Sequence, residues 1–293
     1  MRTGGGPSSI LPHPMVPRHA DSHTRRRALA VLALPAMTMT ATPTPAATPL
    51  PLLRPRRLAP GDTVALINPS SAIYERAPYE VAAEALRSLG LKVREAPNLR
   101  ARYGQFAGTD AQRAADVNAM FADPGVHGLL ALAGGSGGTR MMPLVDYELI
   151  RRHPKFFGGY SDLTALINAI HARTGLVTFH GPVGVSSWSR FSLEAFRRLL
   201  FQGEAGTLEP PRPPAETLVQ TKDRVRTLTP GVVTGRLLGG NLTVLAAMLG
   251  SEFLPEWSGS ILFLEDTREN IYRIDRMLTQ LKLAGVLDRI SGF

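Results

Sequence analysis

The stretch FFGGYSDLTALINAI, residues 156–170, places a serine between a glycine-rich turn and an amphipathic segment. The short apolar run before the turn predicts a strand, and the apolar spacing after it predicts a helix. Ser161 and Asp162 suit the first turn of that helix, where side-chain oxygens accept hydrogen bonds from unpaired backbone N–H groups. Strand, tight turn, serine and helix are also the order of a nucleophile elbow. Helix cap and nucleophile therefore remain two interpretations of Ser161.

The segments before this stretch alternate between predicted strands and helices. Thr109 suits the N-cap of one helix, and Pro124 with Gly125 suits its end. This alternation at short spacing predicts an α/β fold with a Rossmann-like parallel sheet and helices on both faces. The segments are GDTVALINPSSA (61–72, strand), YEVAAEALRSLG (79–90, helix), LKVREAPN (91–98, strand), TDAQRAADVNAMFADPG (109–125, helix) and VHGLLALAGG (126–135, strand).

Three loops follow the carboxyl ends of these strands, where ligands bind in parallel α/β sheets. They are NPSS at 68–71, GGSGGTR at 134–140 and GGYSD at 158–162. The second loop is rich in backbone N–H groups and suits an anion. It has neither the spacing and lysine of a P-loop nor the pattern G-x-G-x-x-G, so nucleotide or sugar binding there is a weaker hypothesis.

The composition predicts four regions along the chain. Residues 1–57 form a leader, residues 58–202 an N-terminal α/β domain, and residues 203–230 a proline-rich linker. Residues 231–293 begin a second α/β unit of strand, helix, strand and helix. The final residues ISGF predict the start of a further strand, so this second domain is expected to be partial.

The formal net charge of +9 does not indicate a nucleic-acid-binding surface. Residues 1–57 contain eight arginines and one aspartate, which leaves 25 basic and 23 acidic residues in 58–293. The positive excess therefore lies in the leader, whereas a nucleic-acid-binding protein needs it on the folded surface that follows the phosphates. We expect no nucleic-acid partner.

The leader has the features of an export signal. Arginines 25–27 stand directly before a short apolar run, and small residues follow at 41–47. Consecutive arginines indicate the twin-arginine route, and the apolar run is too short to span a bilayer stably. The alternatives are a disordered basic tail and a cytoplasmic protein.

The titratable residues offer few candidates for a nucleophile, base or metal ligand. The absence of cysteine excludes disulfides, thiolate nucleophiles and cysteine-ligated zinc. Glu265 ends an apolar strand, ILFLE, where a carboxylate is either a surface charge or faces a cleft. His180 ends another predicted strand and is more simply explained as a structural histidine.

Together these blocks resemble the LD-carboxypeptidase family of serine peptidases, which includes muramoyltetrapeptide carboxypeptidases and microcin C self-immunity proteins. The resemblance runs from about Leu58 to Phe293, and its most specific contexts are Gly-Tyr-Ser-Asp and Leu-Glu-Asp. It implies a second domain of the swivelling β-barrel type. The blocks in chain order are GDTVALINPSS, FAGTDAQRAADVNAMF, AGGSGGTR through GLVTFHGP, GRLLGGNLTVLAAMLGS and ILFLEDTRENIYRIDRMLTQL.

The resemblance also implies a Ser-Glu-His triad with Ser161 as nucleophile and Glu265 as its acid. Oxyanion donors would be the amide of Asp162 and an amide of Gly134 or Gly135. Family members cleave the amide to a C-terminal D-amino acid, typically in murein tetrapeptides, without a metal or organic cofactor. They often form homodimers.

Two departures from the family pattern qualify these expectations. Ala133 precedes the paired glycines and Ser136 follows them, where peptidoglycan-directed members usually carry arginine and tyrosine, so the substrate is open. The family histidine lies in a later Gly-His motif that the sequence does not reach. We therefore expect a truncated member with impaired activity. The alternative is a non-catalytic relative that binds peptides or peptidyl-adenylates, as an immunity protein would.

Overall fold

Five parallel strands form the first sheet in the computed structural model, which describes residues 50–207, 219 and 224–293. Their spatial order is β2-β1-β3-β4-β5, a doubly wound arrangement. The predicted α/β class with a parallel central sheet is confirmed. The strands are Thr63–Ile67 (β1), Lys92–Glu95 (β2), Gly128–Ala131 (β3), Phe156–Gly159 (β4) and Phe179–His180 (β5).

Helices cover both faces of this sheet and continue into the second part of the chain. The first of the long helices ends in the turn at Gly90, as its sequence predicts. Thr109 caps the next one through a reciprocal capping box with Gln112. The helices are Ala77–Ser88 (α1), Asp110–Ala122 (α2), Gly138–Met141 (α3), Tyr147–Arg152 (α4), Thr164–Thr174 (α5), Arg190–Arg197 (α6), Leu242–Met248 (α7) and Ile271–Leu283 (α8).

The central strands are apolar on both sides because both faces of the sheet are packed. All four residues of β3 are buried, as are four of the five in β1. On one face they meet α2, α4 and α5, and on the other α1 and α6. Continuous apolar runs of this kind are what a doubly covered parallel sheet requires.

A second sheet pairs Leu237–Asn241 (β6) with Ile261–Glu265 (β7) in parallel. Helices α7 and α8 pack beside it around Trp257, which is almost fully buried. The last residues run alongside β7, where the N–H of Leu262 donates to the carbonyl of Gly292 at 2.9 Å. The sequence ISGF was expected to begin a strand, and its Gly292 forms a parallel bridge with Ile261.

The two sheets are joined by direct hydrogen bonds between α5 and β6. The Asn241 N–H donates to the Thr164 hydroxyl at 2.9 Å, and the Asn168 amide donates to the Gly239 carbonyl at 2.9 Å. A Cβ on Gly240 would lie 2.5 Å from the Thr164 hydroxyl oxygen, so only glycine permits this approach. We call these five residues the α5–β6 seam.

The predicted domain boundaries are only partly within the described residues. Most of the leader, including the predicted export signal, lies outside them, as does most of the linker at 208–223. Leu53, which lies within the predicted leader of residues 1–57, hydrogen-bonds through its backbone with Gly175 and Val177. The other boundaries stay predictions. No helix among the described residues is long and apolar enough to cross a membrane.

We expect Asn168→Ala to lower the free energy of unfolding by about 2 kcal/mol, because it leaves the buried Gly239 carbonyl without its donor. Urea denaturation measures this loss. Asn118→Ala is the matched control, since Asn118 bonds only to Leu144 and Asp146 in a less buried loop contact. Its expected cost is below about 1 kcal/mol. Equal losses in the two variants would contradict a special role for the seam.

Candidate active site

Ser161 stands at a sharp turn between β4 and α5. Its φ angle is +63°, in the left-handed region, and a short 3-10 turn, Ser161–Leu163, leads from it into the helix. A residue other than glycine pays about 1–2 kcal/mol for this conformation, so the surrounding structure must hold it in place. Leu163, at the end of this turn, is completely buried and anchors the turn in the core. The serine side chain stays partly exposed at the tip of the turn.

The glycine loop, residues 134–138, lies directly against this serine. A Cβ on Gly134 would be 2.9 Å from the Ser161 hydroxyl oxygen, and one on Gly135 would be 2.2 Å from the hydroxyl oxygen of Ser71. The Ser71 hydroxyl also accepts a hydrogen bond from the Ser136 N–H at 3.0 Å. Because Gly134 and Gly135 have no side chains, the backbone of the glycine loop can approach the Ser161 hydroxyl closely.

Asp162 ties three loops together through its side chain. Its buried carboxylate accepts hydrogen bonds from the Ser70 hydroxyl at 2.6 Å and from the Gly138 N–H at 2.7 Å. The sequence predicted that this carboxylate accepts from backbone N–H groups of its own helix, whereas its partners belong to two other loops. The first N–H groups of a helix have no intrahelical partner, so the amides at this turn are available to an anion. The carboxylate holds the loops after β1 and β3 around that position.

Arg113 is a structural residue of the site that the sequence did not reveal. Its guanidinium is almost fully buried beneath the loops and donates to the carbonyl of Pro69 and to that of Gly137, the latter at 3.0 Å. Asp110 pairs with it from the start of α2. A single arginine in a helix normally indicates a solvated face, so no sequence signal distinguishes it.

Glu265 reaches the same region from the second sheet. It ends β7 opposite Asn241 of β6, and Asn241 is bonded to Thr164 in the first turns after Ser161. The α5–β6 seam therefore holds the end of β7, with the Glu265 carboxylate, on the side of the molecule where Ser161 lies. The sequence placed Glu265 at a strand end but contained no sign of this connection.

The environment of Glu265 disfavours its charged form. Burial is the main cause that raises the pKa of its carboxyl, and the neighbouring charge of Asp266 acts in the same direction. A side-chain hydrogen bond with Asn241 opposes them. Its Oε1 is buried and has no hydrogen-bond partner among the described residues. The carboxylate thus keeps one unused acceptor.

His180 lies beside this carboxylate, at the end of β5. Its Nε2 is 4.0 Å from Oε1 of Glu265, and its ring packs edge-on against Phe263 with ring centres 5.2 Å apart. Burial lowers the pKa of His180. The sequence favoured a purely structural histidine here, whereas the structure places it next to the predicted triad acid.

The other described histidines make different contacts. The ring of His127 accepts a hydrogen bond from the Thr63 N–H at 3.0 Å, and His171 bonds to the Leu176 carbonyl at 3.0 Å. His153 ends helix α4 at the surface. No group of three or more His, Asp or Glu side chains suited to a metal ion occurs in the part of the chain that the structure describes.

Family models match both parts of the chain. The LD-carboxypeptidase N-terminal domain matches residues 64–181, and the LD-carboxypeptidase C-terminal domain matches residues 234–293. A probable murein peptide carboxypeptidase of Bacillus subtilis is 39% identical over 244 residues, which are 82% of this chain and 73% of that protein. The chain belongs to the LD-carboxypeptidase family.

Solved structures of LD-carboxypeptidase relatives share the fold. The microcin C7 self-immunity protein MccF in complex with aspartyl sulfamoyl adenosine superposes with a TM-score of 0.72 at 30% identity, covering 82% of this chain and 78% of that one. A muramoyltetrapeptide carboxypeptidase from Oxalobacter formigenes gives a TM-score of 0.64 at 32% identity, covering 78% and 74%. This family member is thus similar both to proteins named as murein peptide or muramoyltetrapeptide carboxypeptidases and to an immunity protein in complex with aspartyl sulfamoyl adenosine.

The left-handed serine provides a prediction about stability. We expect Ser161→Gly to be more stable than Ser161→Ala by about 0.5–1 kcal/mol, because glycine adopts positive φ without strain while its more flexible unfolded chain offsets part of the gain. Both variants lack the hydroxyl, so denaturant titration of the pair isolates the backbone effect. An alanine variant that equals or exceeds the glycine variant would show that the turn carries no strain.

The raised pKa of Glu265 predicts the pH dependence of stability. When a carboxyl group binds its proton more tightly in the folded protein than in the unfolded chain, the fold loses stability as the pH rises. The loss begins near the pKa of the group in the unfolded chain and continues up to its pKa in the folded protein. We therefore expect Glu265→Gln to raise Tm at about pH 8, with a gain that shrinks as pH falls towards about 4. Thermal denaturation at several pH values measures both.

Glu256→Gln is the matched control of opposite sign. Its hydrogen bond with Ser258 is the main cause that lowers the pKa of Glu256. A carboxyl group whose pKa is lowered by folding stabilises the fold at pH values above its pKa in the unfolded chain. This stabilisation is lost as the pH falls through its pKa in the folded protein. This variant should have a lower Tm at about pH 8. A Tm change of the same sign in both variants would contradict the assignment for Glu265.

Proposed function

We propose that the protein is a serine LD-carboxypeptidase that hydrolyses the amide to a C-terminal D-amino acid in murein tetrapeptides. The observation that carries this proposal is the strained Ser161, which lies against the glycine loop and is linked through the α5–β6 seam to Glu265. A strained turn at a partly exposed serine is typical of a nucleophile elbow. The names of the relatives from Bacillus subtilis and Oxalobacter formigenes support the substrate class.

In the proposed reaction the Ser161 hydroxyl attacks the carbonyl carbon of the scissile amide. Its proton passes to a histidine base, and the carbonyl oxygen becomes an oxyanion. Amides of Asp162 and of Gly134 or Gly135 would donate to that oxygen. The base then protonates the leaving amine, which departs as the D-amino acid, and water hydrolyses the acyl-enzyme. Glu265 would orient the histidine and stabilise its charged form.

The base is the weak part of this arrangement. Among the described histidines, His180 faces Glu265, with Nε2 4.0 Å from Oε1, and it forms no hydrogen bond with the Ser161 hydroxyl. We therefore propose that the described residues hydrolyse the peptide slowly. Loss of the base leaves only the contributions of oxyanion stabilisation and binding.

A second candidate function is binding of a peptide or peptidyl-adenylate without turnover. The similarity to MccF in complex with aspartyl sulfamoyl adenosine favours it, as does Ser136 after the paired glycines. The backbone N–H groups of Gly134 and Gly135 in the glycine loop suit an acyl-phosphate or sulfamate group. This candidate function uses the same cleft but involves no hydrolysis of the bound molecule.

We also propose export through the leader, because arginines 25–27 precede its apolar run. Cell fractionation of a tagged full-length protein tests this. Recovery in the periplasm or culture medium, lost when the three arginines are replaced by glutamine, would support it. Purely cytoplasmic recovery would contradict it.

We expect the protein to release D-alanine slowly from a murein tetrapeptide, and Ser161→Ala to reduce the rate to the residual rate that oxyanion stabilisation and binding supply, because no other group supplies the nucleophile. Chiral chromatography of the products measures the release. The matched substrate control is the same peptide ending in L-alanine, which should stay intact. Cleavage at the wild-type rate in Ser161→Ala would refute the serine mechanism. Tight binding of the tetrapeptide by calorimetry without any cleavage would favour the second candidate.

A further inference from the structure

The ends of β5 and β7 bring two incompletely bonded side chains together. His180 Nε2 and Glu265 Oε1 are 4.0 Å apart, about one ångström beyond an ordinary hydrogen bond. Oε1 of Glu265 and Nδ1 of His180 are both buried, and neither has a hydrogen-bond partner among the described residues. Since buried polar atoms in proteins are nearly always bonded, the unpaired Oε1 of Glu265, with the Nε2 of His180 facing it, indicates a contact that forms in a functional state.

The ring of His180 is held so that it can make only a few contacts. Phe263 packs edge-on against one side, and the ring of Tyr160 lies 6.3 Å away on another. The side chains of His180 and Glu265 are 18% and 37% exposed, respectively. A small shift of the carboxylate, rather than a reorientation of the ring, is therefore enough to close the gap.

We propose that His180 is a positioning residue for Glu265, whose carboxylate it fixes by donating its Nε2–H to Oε1. The proposal rests on the proposed function, in which Glu265 orients the base. Together with the hydrogen bond from Asn241, a second bond at Oε1 stops the carboxylate from rotating and fixes the direction in which its remaining lone pairs face the base. His180 acts through Glu265 and does not touch the substrate.

The charges at this place favour a neutral histidine that donates to a carboxylate. Burial lowers the pKa of His180 and raises that of Glu265, so both groups resist charging. Asp266 is the charged neighbour of Glu265, and Asn241 is its hydrogen-bonding neighbour. Phe263 and Tyr160, the aromatic neighbours of His180, carry no charge at neutral pH. A neutral ring can donate from Nε2, and the proposed contact requires the Nε2–H tautomer.

The location of the unpaired atoms argues against a role for His180 as the base itself. A base must contact the hydroxyl proton it accepts. His180 contacts the carboxylate from the end of β5, and no hydrogen bond joins it to Ser161. The same geometry suits a residue that orients the acid.

Two amide variants separate positioning from simple packing. His180→Gln carries its amide nitrogen near the position of Nε2, whereas His180→Asn carries it near Nδ1. Where the protein turns over the tetrapeptide, we expect kcat to fall about 10–100-fold in His180→Asn and to stay within about threefold in His180→Gln, with KM unchanged in both. The acid limb of kcat/KM should move to higher pH in His180→Asn, because the lost donor had favoured the ionised carboxylate. Circular dichroism confirms folding, and His153→Gln, at the exposed end of α4, is the control with unchanged rates.

Nitrogen-15 NMR of the histidine rings tests the contact without turnover. We expect neutral His180 with a protonated Nε2, and a shift of that resonance in Glu265→Gln but not in Ser161→Ala. His127, which bonds to the Thr63 N–H, should be unaffected by either change. A His180 signal identical in wild type and Glu265→Gln, or equal rates in His180→Asn and His180→Gln, would overturn the proposal. A shifted signal in a protein without peptidase activity would instead refute the proposed function and retain the contact.

Discussion

The α5–β6 seam is the constraint on which the rest of the candidate site depends. Ser161 and Glu265 are 104 positions apart in the sequence and belong to different sheets. The bonds from Asn241 to Thr164 and from Asn168 to Gly239 are what join these sheets beside the serine. Because their polar groups are buried, breaking them leaves unpaired atoms in a dry interface, and such atoms destabilise strongly. The seam therefore fixes the distance between the halves as well as contributing stability.

The serine itself is held by a different set of buried polar groups. Asp162 draws the loops after β1 and β3 to the turn, and Arg113 supports the same loops from α2. Each of these groups is costly to bury alone, but each is supplied with several partners, which is the condition under which buried charge is tolerated. The left-handed conformation of Ser161 is maintained by this network. Strain at one residue is thus offset by hydrogen bonds formed by its neighbours.

The elements and the position of the serine could be predicted from the sequence, since they depend on local patterns. Apolar runs such as residues 128–131 identify central strands, and Thr109 with Gln112 identifies a helix start. Contacts between distant residues have no such local pattern. Thr164 and Asn168 interrupt an apolar helix without any sign of their partners more than 70 residues later.

Glu265 illustrates the same limit in the site. Its position at a strand end was predictable from the run ILFLE, and a carboxylate at a strand end has several explanations. Its meeting with His180 depends on how the second sheet docks on the first, which is decided by the seam. Sequence periodicity reports which face of an element is buried but not against which element. The loops that hold Ser161 share this property, because Arg113 has an ordinary place in α2.

The two halves of the candidate site differ in how completely they are bonded. On the serine side, the Asp162 carboxylate is hydrogen-bonded by Ser70 and Gly138 within the fold. On the acid side, Glu265 keeps a buried acceptor without a donor. An unpaired acceptor lowers the stability of the fold, and it also gains the most free energy when a donor reaches it. Folding therefore preorganises the turn of Ser161 and the loops proposed to bind the oxyanion. In our proposal, the Glu265 carboxylate acquires its final orientation only when the Nε2–H of His180 completes its hydrogen bonding.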